Sequence, residues 1–203
     1  MIEYFKLGGI FMWPILFSSI WAVALLIERA LTYTKTRKIL RKQAQSFFEI
    51  AEKQSLDAAL RELDEYHGLL PDILRAAWDP QHPNVSIAER NVEEVLHQYK
   101  PALEKSLATL ATLAAIQPLL GLLGTISGMI ATFSVISSAG TGDPRALADG
   151  ISEAMITTQA GLSVALPILL GHNFLRNRYR NILASLQQYC ARALKDRERH
   201  GAE

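Results

Sequence analysis

With a single cysteine, Cys190, among its 203 residues, the chain cannot form an internal disulfide. That thiol and the five histidines fall at no metal-ligand spacing and in no Cys/His nucleophile arrangement, so neither a metal nor a cofactor is expected. There is no basic stripe with interleaved aromatics, and a net charge of +1 argues for no nucleic-acid partner. Internal repeats and low-complexity segments are missing as well. The absence that decides most is local: Leu107 to Ser138 contains no Asp, Glu, Lys, Arg or His. At about 1.5 Å per residue, that run more than crosses a ~30 Å hydrocarbon layer.

Two more apolar runs accompany it. Leu7 to Ile27 is uncharged, carries Trp13 and Trp21, and is long enough for one spanning helix. A cleaved signal peptide competes for this stretch, because Ala22-Val23-Ala24 has a small-x-small form. The start is not basic and the apolar residues continue to Arg29, which favours a retained span. The third run follows the turn Ala139-Gly140-Thr141-Gly142, with Asp143 as helix cap and Pro144 at the first helical position. It extends to about Gly171 and, beyond its first turns, holds one strongly ionisable group, Glu153. Hydrophobic residues make up 49% of the chain, modest for a membrane protein, because charges crowd between the spans.

Lys and Arg at the span ends set the orientation. Arg29, Lys35, Arg37, Lys38, Arg41 and Lys42 follow the first span, and Arg176, Arg178 and Arg180 follow the third. Lys6 and Arg145 are the only basic residues at the opposite flanks. Positive-inside bias therefore predicts N-out and C-in. The fold class predicted is an all-α membrane protein, with three transmembrane helices extended into a cytoplasmic helical bundle. Residues 1–29 give the outer tail and first span, 30–105 a cytoplasmic helical region, and 106–138 the second span. Residues 139–143 form the outer turn, 144–175 the third span and 176–203 a C-terminal cytoplasmic helix, amphipathic over 176–197. Within the cytoplasmic region, Ser86 and Glu89 form a capping box and Pro101 marks a kink or break before the second span.

Glu153 lies nine residues after Pro144, roughly 14 Å along the helix and so near mid-membrane. A carboxyl at that depth is costly and points to a functional site facing a cavity or a bundle interior. A protonated acid bonded to nearby backbone is the plain alternative. Counting equally from the turn puts the hydroxyls of Thr125 and Thr158 at one level, with Glu153 about a turn and a half nearer the turn. Thr157 lies beneath Glu153 at i+4. Back-bonding to their own helices is the ordinary fate of such threonines. Gly124 and Gly128, with Gly121 beside them, form a narrow face on the second span, and Ala154, Thr158, Gly161 and Ala165 form a comparable stripe on the third; such stripes allow close helix packing. Gly124→Leu is therefore expected to disturb assembly. Pro118 and Pro167 are expected to kink their helices, Asp149 to pair with Arg145, and His172 to sit at the inner interface.

The runs Pro118-Leu-Leu-Gly-Leu-Leu-Gly-Thr-Ile-Ser-Gly128 and Gly150-Ile-Ser-Glu-Ala-Met-Ile-Thr-Thr-Gln-Ala-Gly161, with Pro167, resemble the MotA/TolQ/ExbB proton-channel family, most closely its ExbB branch. The resemblance covers the three spans; the region between matches in layout more than in motif. It implies a non-enzymatic proton-channel subunit in a bacterial inner membrane, a homo-oligomer of five around the helices of an ExbD-like or TolR-like subunit. Such a complex couples proton-motive force to TonB-dependent outer-membrane uptake through a TonB-like protein. By the same resemblance Glu153, Thr125, Thr158 and Thr157 form the proton pathway. Gln117 departs from the pattern, since many relatives carry a smaller residue before that proline. The alternatives are a TolQ-like subunit for envelope integrity and a non-conducting membrane scaffold. An intramembrane hydrolase is disfavoured, because Glu153 has no second acid or nucleophile at its depth.

Overall fold

A computed structural model describes residues 8–53, 55–63, 66–79, 84–139 and 144–200. Every regular element among them is an α-helix: α1 (Met12–Lys53), α2 (Leu56–Leu63), α3 (Leu69–Ala77), α4 (Val85–Glu104), α5 (Leu107–Ala139) and α6 (Pro144–His200). Three helical stretches, in α1, in α4–α5 and in α6, are long and apolar enough to cross a membrane. The chain divides into two compact units, residues 1–29 with 106–175, and residues 30–105 with 176–203. The expected 139–143 turn and the cap at Asp143 fall outside the described residues, apart from Ala139 at the end of α5.

In the first unit α1 begins at Met12, not at Leu7 where the apolar run starts. Gly8 and Gly9 delay it: Gly9 has φ +67, and Met12 N–H donates to Gly9 O at 3.3 Å in the turn that precedes the helix. Glycine has the lowest helix propensity after proline and takes a positive φ without a Cβ clash. Helices α5 and α6 then pack through their small residues. A Cβ on Gly121 would sit 3.1 Å from the Thr158 Cα, and one on Gly161 would sit 2.6 Å from the Gln117 carbonyl oxygen. A Cβ on Gly128 would be 3.1 Å from that of Ala154, and one on Gly124 would overlap the Thr157 methyl.

These contacts correct the register derived by counting from the turn. Gly121 is level with Thr158, so Thr125 lies one turn closer to the turn, at the height of Ala154 and Glu153. Close backbone approach at the glycines fixes the sliding position of α5 on α6, and the turn does not. Pro118 and Pro167 stand inside α5 and α6, and both helices run on through them. The outward faces stay apolar: Ile130, Phe133, Met155, Leu166 and Leu170 are all exposed.

The second unit has its own core. Leu70, Ile73, Leu74 and Ala77 of α3 are fully buried, as are Ala59 of α2 and Ala88 of α4. Tyr33, Ala44, Phe47, Ile182, Leu186, Cys190 and Ala193 add the buried faces of the inner parts of α1 and α6. Tyr33 OH donates to Leu103 O at 2.6 Å, and Arg178 donates to the Thr34 hydroxyl at 2.9 Å. Burial and the Glu104 carboxylate, which accepts from Tyr179 OH at 2.7 Å, push the Tyr179 phenol well up.

Two local expectations need correction here. Helix α4 is capped by Asn84, whose side chain accepts from Ser86 N–H at 2.9 Å, and not by Ser86. An Asn cap satisfies the same orphan donors two residues earlier. The helix also continues past Pro101 and ends at Lys105 and Ser106, the latter at φ 71. Proline removes one N–H but keeps its carbonyl, and Pro101 O accepts from Lys105 N–H at 2.9 Å to close the last turn.

Candidate functional site

Glu153 is half-buried on α6, and between Gly150 and Gly171 it is the only Asp, Glu, Lys, Arg or His. Its carboxyl lies directly against Gly9, so that Oε1 occupies the space a Cβ on Gly9 would need. One helical turn on, Thr157 is fully buried. Its hydroxyl is 2.7 Å from Gly8 O and 2.8 Å from Glu153 O, and its single hydrogen is shared between those two carbonyls. Thr157 therefore ties the segment before α1 to the turn of α6 that carries the acid.

The other two threonines are held differently. Thr158 donates across the helix pair to Gly121 O at 3.0 Å. Thr125 is half-buried and donates to Leu122 O of its own helix at 2.7 Å. The structure thus brings Thr157 and Glu153 together and places Thr125 at their level. It engages the Thr158 hydroxyl with α5 backbone. Asp149 is exposed on α6, one turn from Glu153, while the side chain of Arg145 is outside the described residues. His172 is half-buried near the end of this unit.

Gln117, singled out for its departure from the family pattern, is fully buried, and its Nε2 donates to the Ser18 hydroxyl at 2.9 Å. Its polarity is turned toward α1 of the same chain. Ser18 passes its own hydrogen to the backbone, at 2.5 Å from Pro14 O and 3.2 Å from Ile15 O. Sequence reasoning missed Gly8, Gly9 and Ser18 as neighbours of these groups. The Gly-Gly pair at the head of an apolar run was the available signal, since adjacent glycines mark a bend or a close approach.

Chemically, the stretch between Gly150 and Gly171 offers one carboxyl among apolar helices, met from one side by a backbone segment and tied by a buried hydroxyl. Comparison with known proteins agrees with that layout. The MotA/TolQ/ExbB proton channel family matches residues 27–188. A biopolymer transport protein ExbB homolog of Methanothermobacter thermautotrophicus is 29% identical over 179 residues, 88% of this chain and 63% of that protein. A biopolymer transport protein ExbB-like 1 of Synechocystis is 32% identical over 181 residues, 84% of this chain and 68% of its own length. The chain therefore spans somewhat under two thirds of the archaeal relative. The family match covers both spans of the hairpin and the acid between Gly150 and Gly171, and the chain belongs to the MotA/TolQ/ExbB proton channel family.

Proposed function

We propose that this chain is the proton-channel subunit of an ExbB–ExbD type motor in a bacterial inner membrane, with its N-terminus outside and its C-terminus inside. The observation that carries this is Glu153. It is the lone carboxyl between Gly150 and Gly171 of a helix long and apolar enough to span a membrane, within the stretch matched by a proton-channel family. An acid there has no structural need of its charge, and such groups mark proton relays. Glu153 takes up and releases the proton, and Thr125 at its level lines the path with Thr157 and Thr158 one turn further in. The chain assembles as a homo-oligomer around an ExbD-like subunit, whose carboxylate shares the proton with Glu153. Two acids in low dielectric cannot both ionise cheaply, so one proton is shared between them. A TonB-like protein then carries the work to outer-membrane uptake. Both named relatives are described as biopolymer transport proteins of the ExbB kind, which favours this role over a TolQ-like one.

Glu153→Gln keeps size and hydrogen-bonding capacity and removes titration. The expected outcome is a variant that co-purifies with its partner subunit and has lost uptake driven by proton-motive force. Glu153→Asp should retain part of it. Full transport by the Gln variant would return the chain to the scaffold reading, because a scaffold needs only shape and a hydrogen bond.

A further inference from the structure

Gly9 is a glycine for two separate reasons. Its φ of +67 is in the left-handed region that L side chains rarely adopt. Its missing side chain is also the space that the Glu153 carboxyl fills, so any Cβ at position 9 would overlap Oε1 and crowd Cδ at 2.7 Å and Cγ at 3.3 Å. The neighbouring residue is held as firmly. A Cβ on Gly8 would meet the Met12 Cγ at 2.5 Å and the Ile156 Cγ2 at 3.3 Å, and Gly8 O takes the hydroxyl of the fully buried Thr157. Thr157 is in turn clamped by Gly124, where a Cβ would overlap its methyl. Three elements meet there: the Gly8–Gly9 segment, α6 at Glu153 and Thr157, and α5 at Gly124. On α5 and α6 within a turn of Glu153 the residues are apolar, small or hydroxyl-bearing apart from the exposed Asp149, so packing against Gly9 sets where its carboxyl rests.

We infer that Gly8–Gly9 is a strap that positions the Glu153 carboxyl, and that Gly9 is a positioning residue for the proton carrier. The strap works through backbone. It presses bare Cα surface on Oε1 of the carboxyl and leaves Oε2 to exchange a proton with the partner acid. Thr157 fixes the strap to the same turn of α6, so carboxyl and strap move together. This rests on Glu153 being the proton carrier, and the tests for the two ideas separate.

The experiment is a double-mutant cycle in the intact complex with its partner subunit, reading proton-driven uptake, co-purification and the midpoint of thermal unfolding. Gly9→Ala adds one methyl in the space of the carboxyl. Misplacing a reacting group by about 1 Å can cost up to a hundredfold, and a loss of at least about tenfold in uptake is expected. Glu153→Asp withdraws the carboxyl by one methylene. On that background Gly9→Ala should cost little uptake, so the double variant should match Glu153→Asp alone in uptake and should regain the part of the unfolding midpoint that the clash with the carboxyl costs, keeping only the loss due to φ +67. Backbone strain at φ +67 is unaffected by shortening Glu153, so an equal loss on both backgrounds would overturn the inference. Wild-type uptake in Gly9→Ala would overturn it too. If Gly9→Ala fails to assemble, restored assembly in the double variant supports the strap and continued failure refutes it. Should Glu153→Gln transport normally, the proton reading falls, while coupling in the unfolding midpoints still reports whether Gly9 and Glu153 touch.

Discussion

Cys190 shows how much a single buried side chain says about its surroundings. It is almost fully enclosed on the inner part of α6, and burial pushes its thiol up to about 11 from an ordinary value near 9. The folded chain therefore holds a proton that the unfolded chain releases between those values. The stability this contributes is complete below pH 9 and declines as pH rises toward 11. Cys190→Ser should flatten that decline, measured as unfolding midpoints across the alkaline range. The thiolate is the reactive form, and at pH 8 a rise from about 9 to about 11 cuts its fraction roughly a hundredfold. Native protein should accordingly react with N-ethylmaleimide more than a hundredfold slower than denatured protein, and comparable rates would mean an open site. The sequence pattern already placed Cys190 on the apolar face of an amphipathic helix. Glu153 was equally legible, since one acid in an apolar run draws attention by itself. Its contact with Gly9 was not, because the two are separated by most of the chain and no period in the sequence links them.

Helix existence and helix register were legible to different degrees. Three long apolar runs, two of them uncharged, suffice to expect three spanning helices, because composition decides whether a segment prefers lipid. Register is fixed by where glycines let backbones touch, and counting from a turn overlooks that. The stripes on α5 and α6 were visible as small-residue patterns, but pattern alone left open whether they meet each other or a neighbouring subunit. They meet each other: Gly121 abuts Thr158, Gly161 abuts Gln117 O, and Gly124 abuts Thr157. Gly124→Leu should then injure the hairpin within each subunit before it affects contacts between subunits. The expected result is a loss of several kcal/mol, of the size seen for overpacked cores, read as a lower unfolding midpoint and faster proteolysis of the isolated chain. Gly124→Ala should cost less than Leu but still be felt, since its methyl would overlap the Thr157 methyl and sit 2.7 Å from the Thr157 Cβ. A Leu variant that is stable alone yet fails to oligomerise would place this stripe at a subunit interface. The shift of the α4 break from Pro101 to Ser106 has a similar lesson: proline forbids one hydrogen bond, and the residue able to take a positive φ ends the helix.

At the scale of the whole molecule, the two compact units divide the chain by composition. The unit of residues 1–29 and 106–175 exposes apolar side chains widely, among them Trp13, Phe17, Ile130, Phe133, Met155 and Leu170. Such a surface is unsuited to water and is the surface a bilayer or neighbouring subunits would cover. The other unit encloses a larger apolar core and carries most of the charges, including Arg192, which is 2.5 Å from Glu52 and 4.1 Å from the Phe48 ring centroid. Which side of the membrane receives that charged unit follows from the basic residues. Six Lys and Arg lie between Arg29 and Lys42, and three more between Arg176 and Arg180, against Lys6 and Arg145 at the opposite ends. Moving that excess outward opposes the positive-inside bias at both inner flanks together, so the orientation does not depend on one loop. Single cysteines test it in a Cys190→Ser background. Thr141→Cys, in the short loop after α5, should react in intact cells with a membrane-impermeant maleimide. Ser55→Cys, exposed between α1 and α2, should react only after the membrane is opened. Labelling of Ser55→Cys in intact cells, with Thr141→Cys protected, would invert the topology. It would also reverse the direction of the proton path proposed through Glu153, because its inner and outer mouths would exchange places.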